Sequence, residues 1–193
     1  AVCAANTETT NRVCDTVLRA AAQIAPDETV AGSQGTMNLI GIGGIDPRNG
    51  QPYAYIETIA GGQGGRPWGD GSDGVQCTMT NTMNTPIEAL EISYPLRVER
   101  YEFRPGSGGD DQHRGGLGVE RSIRALGHNA RVSLSSERRK FAPYGLHGGN
   151  DGERGANAYV DADGNEHALP GKTSHTLADQ EIVVVRTPGG GGW

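Results

Sequence analysis

Glycine constrains this chain more than any other residue: 31 of its 193 residues, or 16%, against a usual ~7%. The glycines are bunched, and residues 60–75 alone hold seven: Gly61, Gly62, Gly64, Gly65, Gly69, Gly71 and Gly74. No regular element tolerates that density, because each glycine raises the backbone entropy lost on ordering. Such a loop is ordered either by its surroundings or by a ligand. The clusters fall between segments with strand patterning, so the composition predicts a turn-rich fold and not a low-complexity linker.

Charge and hydropathy exclude several classes. Lys and Arg number 17 against 23 Asp and Glu, a formal charge of −6, whereas a nucleic-acid protein shows a clustered basic surface. No apolar run approaches the ~18 residues that span a bilayer; the longest in the last third is Ile182-Val183-Val184-Val185. Nor is there a basic-then-apolar leader. These features predict a cytoplasmic protein with no nucleic-acid or membrane partner. Cys3, Cys14 and Cys77 form no Cys-x-x-Cys pair, and read as small reduced core residues. The chain opens on Ala1 and closes on Thr187-Pro188-Gly189-Gly190-Gly191-Gly192-Trp193, which leads us to expect a fragment or a processed subunit.

Periodicity predicts one long helix over 7–25, with Val13, Val17, Leu18, Ala21 and Ile24 as an apolar stripe at spacings of three and four. Asn6, Thr7, Thr9 and Thr10 offer capping oxygens, and Pro26-Asp27 ends the pattern. Residues 38–45 and 52–59 read as a hairpin around Asp46-Pro47-Arg48-Asn49-Gly50. Residues 87–93 form a short helix or strand. Residues 97–104 alternate as a strand, with Val98, Arg100 and Glu102 opposite Glu99, Tyr101 and Phe103. Residues 119–126 and 130–136 suggest a second antiparallel pair around Gly127-His128-Asn129, and 156–160 and 181–186 complete a β-rich second half. The expected fold class is α+β, mostly antiparallel β with one long N-terminal helix, in a single compact domain.

Polar residues concentrate in Arg66-Pro67-Trp68-Gly69-Asp70-Gly71-Ser72-Asp73-Gly74 and in Met79-Thr80-Asn81-Thr82-Met83-Asn84-Thr85-Pro86, followed by Glu88 and Glu91. Glycine lets backbone N–H groups approach a ligand, and Arg66 would anchor a carboxylate or phosphate. Asp70 and Asp73 would orient a base or bind a hard metal. Thr80, Asn81, Thr82 and Asn84 suit hydrogen bonding to an amide-like substrate. Equally, Asp and Asn can satisfy their own turns while Arg66 ties the loop down. None of the five histidines has ligand spacing; His147, in Tyr144-Gly145-Leu146-His147-Gly148-Gly149, is the one retained as a candidate metal ligand. Ser107-Gly108-Gly109 and Arg114-Gly115-Gly116-Leu117-Gly118 lack the Gly-Lys-Ser/Thr of a phosphate loop, and no Gly-x-Ser-x-Gly elbow is present.

The order of these motifs resembles the hydantoinase B/oxoprolinase family. The resemblance rests on Gly61-Gly62-Gln63-Gly64-Gly65-Arg66-Pro67, Asp70-Gly71, Met79-Thr80-Asn81-Thr82, Asn84-Thr85-Pro86-Ile87-Glu88 and Tyr94-Pro95-Leu96. It continues through Ser107-Gly108-Gly109, Arg114-Gly115-Gly116-Leu117-Gly118, Arg138-Arg139, Pro143-Tyr144-Gly145-Leu146 and Thr187–Gly192, with Asn6–Arg12 and Ser33–Asn38 matching as well. It implies that residues 1–193 are the C-terminal portion of a hydantoinase B-like polypeptide, about a third of one. The implied enzyme is multi-subunit and hydrolyses a cyclic amide of hydantoin, 5-oxoproline or lactam type, with ATP phosphorylating the amide oxygen. Two alternatives accompany it: a component of an acetone or acetophenone carboxylase, and a noncatalytic module that docks a nucleotide-binding partner. The implied partners are a hydantoinase A-like subunit that binds ATP with Mg, a chain carrying the upstream part of the hydantoinase B-like polypeptide, and a small-molecule substrate. A divalent metal, Zn or Mn, is implied with ligands mostly outside this chain. Members often carry His just before Met-Thr-Asn-Thr, where this chain has Gln76-Cys77-Thr78. On this reading Asp70, Asn81, Asn84 and Glu88 are the catalytic candidates, and Gly62, Gly64, Arg66, Thr80 and Thr82 bind substrate.

Overall fold

The computed structural model describes residues 5–193, with side chains from Thr7 onward, so Cys3 and a capping role for Asn6 lie outside the described residues. Helix α1 spans Ala5–Ala21, and a 3-10 turn at Pro26–Glu28 follows it. The helix overlaps the expected 7–25 but ends at Ala21, leaving Ile24 beyond it, and its inner face is the opposite one. Val13 and Val17 are 53% and 61% exposed, whereas Glu8, Asn11 and Asp15 are buried. Positions 8, 11 and 15 also follow helical spacing, and each meets a loop that has no ladder partner of its own. Glu8 Oε2 accepts from the Met37 N–H at 2.7 Å. Asn11 Oδ1 accepts from the Thr78 hydroxyl at 2.9 Å and the Met79 N–H at 3.1 Å. Asp15 pairs with Arg12 and Arg138.

Two antiparallel sheets enclose the core. One has the order β2-β1-β5-β8, with β1 at Leu39–Ile45, β2 at Pro52–Thr58, β5 at Ala130–Ser135 and β8 at Lys172–Leu177. The other has the order β3-β4-β9-β6-β7, with β3 at Leu96–Phe103, β4 at Val119–Ala125, β6 at Ala156–Val160, β7 at Glu166–Leu169 and β9 at Ile182–Arg186. Ile40, Ile42, Val132, Leu134 and Leu177 of the first sheet join Leu96, Ile123, Val183 and Val185 of the second in one apolar cluster. The fold is α+β and mostly antiparallel β, as expected. Helix α2 spans Ile87–Ser93 and buries Leu90.

The β1–β2 hairpin follows its turn chemistry: Asp46 Oδ1 accepts from the Arg48 N–H at 2.9 Å, and Gly50 sits at φ +72°. The expected pairing of 119–126 with 130–136 does not form. β4 is already flanked by β3 and β9, and β5 by β1 and β8, so both edges of each are taken and the chain crosses between sheets. A register shift between Val98 and Arg100 interrupts the alternation expected over 97–104.

The glycine clusters meet in the interior. The closing segment, residues 187–193, runs through a space walled by three other glycine-rich segments and bonds to each. Gly62 N–H reaches Pro188 O, Gly65 N–H reaches Gly191 O, Gly109 N–H reaches Gly190 O, and Gly190 N–H reaches Gly116 O, all at 2.8–2.9 Å. The backbones are so close that a Cβ on Gly190 would lie 2.0 Å from Gln63 O. The ordering agent demanded by residues 60–75 is therefore other backbone. No helix among the described residues is long and apolar enough to cross a membrane.

Candidate functional site

The 76–85 segment is tied at both ends and open in the middle. At one end Cys77 is buried, which pushes its thiol up to about 11 and makes it a packing residue at neutral pH. Thr78, at φ +60°, and Met79 are held by Asn11. At the other end Asn84 Nδ2 donates to Thr58 O at 3.0 Å, and Asn84 Oδ1 accepts from the Tyr101 hydroxyl at 2.7 Å. Thr85 N–H donates to Glu57 Oε1 at 3.0 Å. Glu57 is itself paired with the fully buried Arg121, Nε to Oε2 at 2.6 Å, and the Tyr101 ring covers that guanidinium at 4.6 Å. Between these anchors Asn81, Thr82 and Met83 are exposed, and the Thr80 hydroxyl makes a long bond to Cys77 O at 3.4 Å. Glu88 is exposed on the first turn of α2, while Glu91 is engaged by the Val98 N–H at 2.9 Å.

The 66–74 loop is more occupied with itself. Arg66 and Gly69 exchange backbone hydrogen bonds at 2.9 and 3.2 Å, and Arg66 Nη2 donates to Asp70 O at 2.6 Å. Arg66 thus closes its own turn. Asp73 takes both ends of the Arg114 guanidinium at 2.7 and 3.1 Å and the Leu117 N–H at 2.7 Å. Arg114 holds this carboxyl below its ordinary range. Asp70 is freer, accepting from the Arg114 N–H at 3.1 Å with its side chain 55% exposed. Gly62 and Gly64 are buried, and their open faces are filled by Gly116 O and Ala31 O, which a Cβ would meet at 2.0 and 1.9 Å. Their tight approach serves backbone packing.

Beside the 66–74 loop lies a cavity of about 220 Å³ lined by Gly74, Tyr101, Glu102, Phe103 and Val119, and Tyr101 ties it to the 76–85 segment through Asn84. Its chemistry is an aromatic rim with one carboxylate, Glu102; Asp70 and Glu88 are exposed on the 66–74 loop and on α2, outside this lining. Sequence patterning does not single out Asn11, Glu57, Tyr101 or Arg121 as supports. The signal for Asn11 lies in its spacing from Glu8 and Asp15; for Glu57 it lies in sharing the inward face of β2 with Tyr55. His147 lies apart, at φ +53°, with Nε2 3.5 Å from Asp27 and its ring 4.5 Å from that of Trp193. Among the described residues no group of three or more His, Cys, Asp or Glu is placed to hold a metal. These residues alone do not fit the implied metal, and no metal-dependent step is assigned to them.

The profile of the hydantoinase B/oxoprolinase family matches residues 1–193. The chain belongs to the hydantoinase B/oxoprolinase family. It is 40% identical over its whole length to 5-oxoprolinase 1 of Arabidopsis thaliana, of which it spans 14%. It is 35% identical, over 94% of its length, to a putative D-/L-hydantoinase component of Pseudomonas sp. (strain NS671), of which it spans 30%. Among solved structures it superposes on ATP-dependent caprolactamase from Pseudomonas jessenii with a TM-score of 0.76 and 27% identity, covering 89% of this chain and 31% of the other. The chain thus spans less than a third of each of these relatives.

Proposed function

We propose that this chain is part of a multi-subunit, ATP-dependent enzyme that hydrolyses a cyclic amide of hydantoin, 5-oxoproline or lactam type. The observation that carries the reading is the 40% identity, over all 193 residues, to a protein named 5-oxoprolinase 1. The caprolactamase superposition and the hydantoinase relative point to the same substrate class. In this proposal a hydantoinase A-like partner holds ATP with Mg, and a chain with the upstream hydantoinase B-like segment supplies the ligands of a divalent metal. Phosphorylation of the amide oxygen makes the ring carbon more electrophilic than in a resonance-stabilised amide.

The residues of this chain bind and orient. Thr80, Asn81 and Thr82 project from the pinned loop and hydrogen-bond the ring amide; Asn84 sets the loop's angle through Tyr101. Asp70 and Glu88 are the exposed carboxylates assigned the role of base. Arg66 acts through the shape of its turn, as do Gly62 and Gly64 through theirs.

The test uses the intact assembly. Asn81→Ala and Thr82→Ala, both at exposed positions, are expected to lower ATP-dependent ring opening about 10- to 100-fold without changing assembly. Full activity in both variants, with assembly intact, favours the docking-module alternative. Label from bicarbonate entering a ketone, with no ring opening, assigns the chain to a carboxylase.

A further inference from the structure

A second site lies away from the 76–85 loop. A cavity of about 560 Å³ is walled by Arg139, Asp151, Glu153 and Arg154 with Gly152 and Gly155 between them. Arg139 is a largely buried guanidinium whose acceptors are all neutral: Asn38 Oδ1 at 2.6 Å, Glu137 O at 2.9 Å and Asn157 Oδ1 at 2.6 Å. Its Nε–H is buried with no acceptor. Burial pulls its pKa down to about 9, so it remains protonated at neutral pH. A buried cation with no counter-charge in contact is costly.

The carboxylates on this wall do not compensate it. Glu153 is taken by Arg104 at 2.8 Å, and Asp151 caps the Gly145 N–H at 2.9 Å. Glu137 next door is engaged by Lys172 at 2.5 Å. Arg154 makes a long bond to Lys140 O at 3.4 Å, and Lys140 sits over the Phe141 ring at 5.5 Å. Arg139 and Arg154 therefore line one cavity with no ion-pair partner among the described residues, and Lys140, likewise without one, adjoins it through its carbonyl's bond to Arg154. Gly155 keeps the approach open: a Cβ there would lie 2.5 Å from Arg139 Nη1.

We propose that this cavity binds a small oxyanion, a phosphate or carboxylate group, held between Arg139 and Arg154. The two chemistries share the recognition of a planar guanidinium fork. The anion supplies the direct charge contact that the guanidinium lacks, since Glu8 and Glu137 act on it only at a distance, and it binds independently of the cyclic-amide reading.

The experiment titrates the intact protein with inorganic phosphate and, separately, with glutarate, each against sodium chloride at equal ionic strength. Binding is read by calorimetry and by the rise in melting temperature. One or both anions should bind with a shift that chloride does not reproduce; phosphate alone assigns a phosphoryl group, glutarate alone a carboxylate. Arg154→Glu, at an exposed position, should weaken binding about three- to tenfold, and Arg139→Met at least about tenfold. Should Arg139→Met fail to fold, Arg154→Glu and Lys140→Glu together carry the test. A shift matched by chloride, or affinity unchanged in the Arg154→Glu, Lys140→Glu variant, overturns the proposal.

Discussion

Glu8 and Asp73 show how two carboxylates in one chain are driven in opposite directions. Glu8 is buried beneath α1, and desolvation raises its pKa above the ordinary 4.5 despite the hydrogen bond from the Met37 N–H. Asp73 is lowered from 3.8 by the Arg114 fork. The consequences for stability have opposite sign. A raised carboxyl contributes stability that is complete below 4.5 and is lost as pH rises through its folded value. A lowered one contributes stability above 3.8 that is lost as pH falls through its folded value. Glu8→Gln keeps an oxygen to accept from Met37 and removes the titration. We expect its denaturation midpoint to gain on the parent as pH climbs from 4.5 towards about 7. Parallel curves across that interval would show that Glu8 does not titrate differently on folding.

Helix α1 is an element whose position is plain in the sequence and whose orientation is not. Apolar residues at 13, 17, 18, 21 and 24 and polar residues at 8, 11 and 15 both repeat at helical spacing, so the pattern admits two inward faces. The choice falls to the polar one because loops 34–38, 78–79 and 138–139 present N–H, hydroxyl and guanidinium groups that need partners. Asn11→Ala is expected to cost about 1–3 kcal/mol, since it strands the Thr78 hydroxyl and the Met79 N–H. Val17→Ser, on the exposed side, should stay within about 0.5 kcal/mol. Urea unfolding of both variants measures the difference, and equal losses would mean that the outer face is packed in the intact protein. The same loss in Asn11→Ala should loosen the base of the 78–83 loop. Proteolysis within that loop, compared with the parent, reads this out.

Across the whole molecule the glycine-rich segments act as a unit. Residues 61–65, 107–116, 149–153 and 187–193 bond backbone to backbone although they lie far apart in sequence, so ordering any one of them orders the rest. Gly190→Ala places a methyl 2.0 Å from Gln63 O and 2.8 Å from Gly64 N, where no flexible side chain can yield. We expect a loss of about 3 kcal/mol or more, or failure to fold. Gly69→Ala, in the same family motif region, meets nothing within 4 Å and should be tolerated to within about 1 kcal/mol. Thermal unfolding of the pair separates glycine needed for contact from glycine that merely sits in a turn.

Strand and helix positions, the Asp46 turn and the family motifs are local properties, set by side-chain period, turn chemistry and residue order, and all are legible in the chain itself. Asn81 and Thr82 are exposed because the loop between its two anchored ends keeps them free of the core. What lies beyond reach depends on contacts between distant segments. The partners of β4 and β5, the inward face of α1, the Glu57–Arg121 support beneath Tyr101 and the closing of the glycine segments on one another each join residues tens of positions apart. A glycine's sequence context reports only that a side chain is absent; whether the space is filled by a ligand or by another backbone is decided by packing in three dimensions.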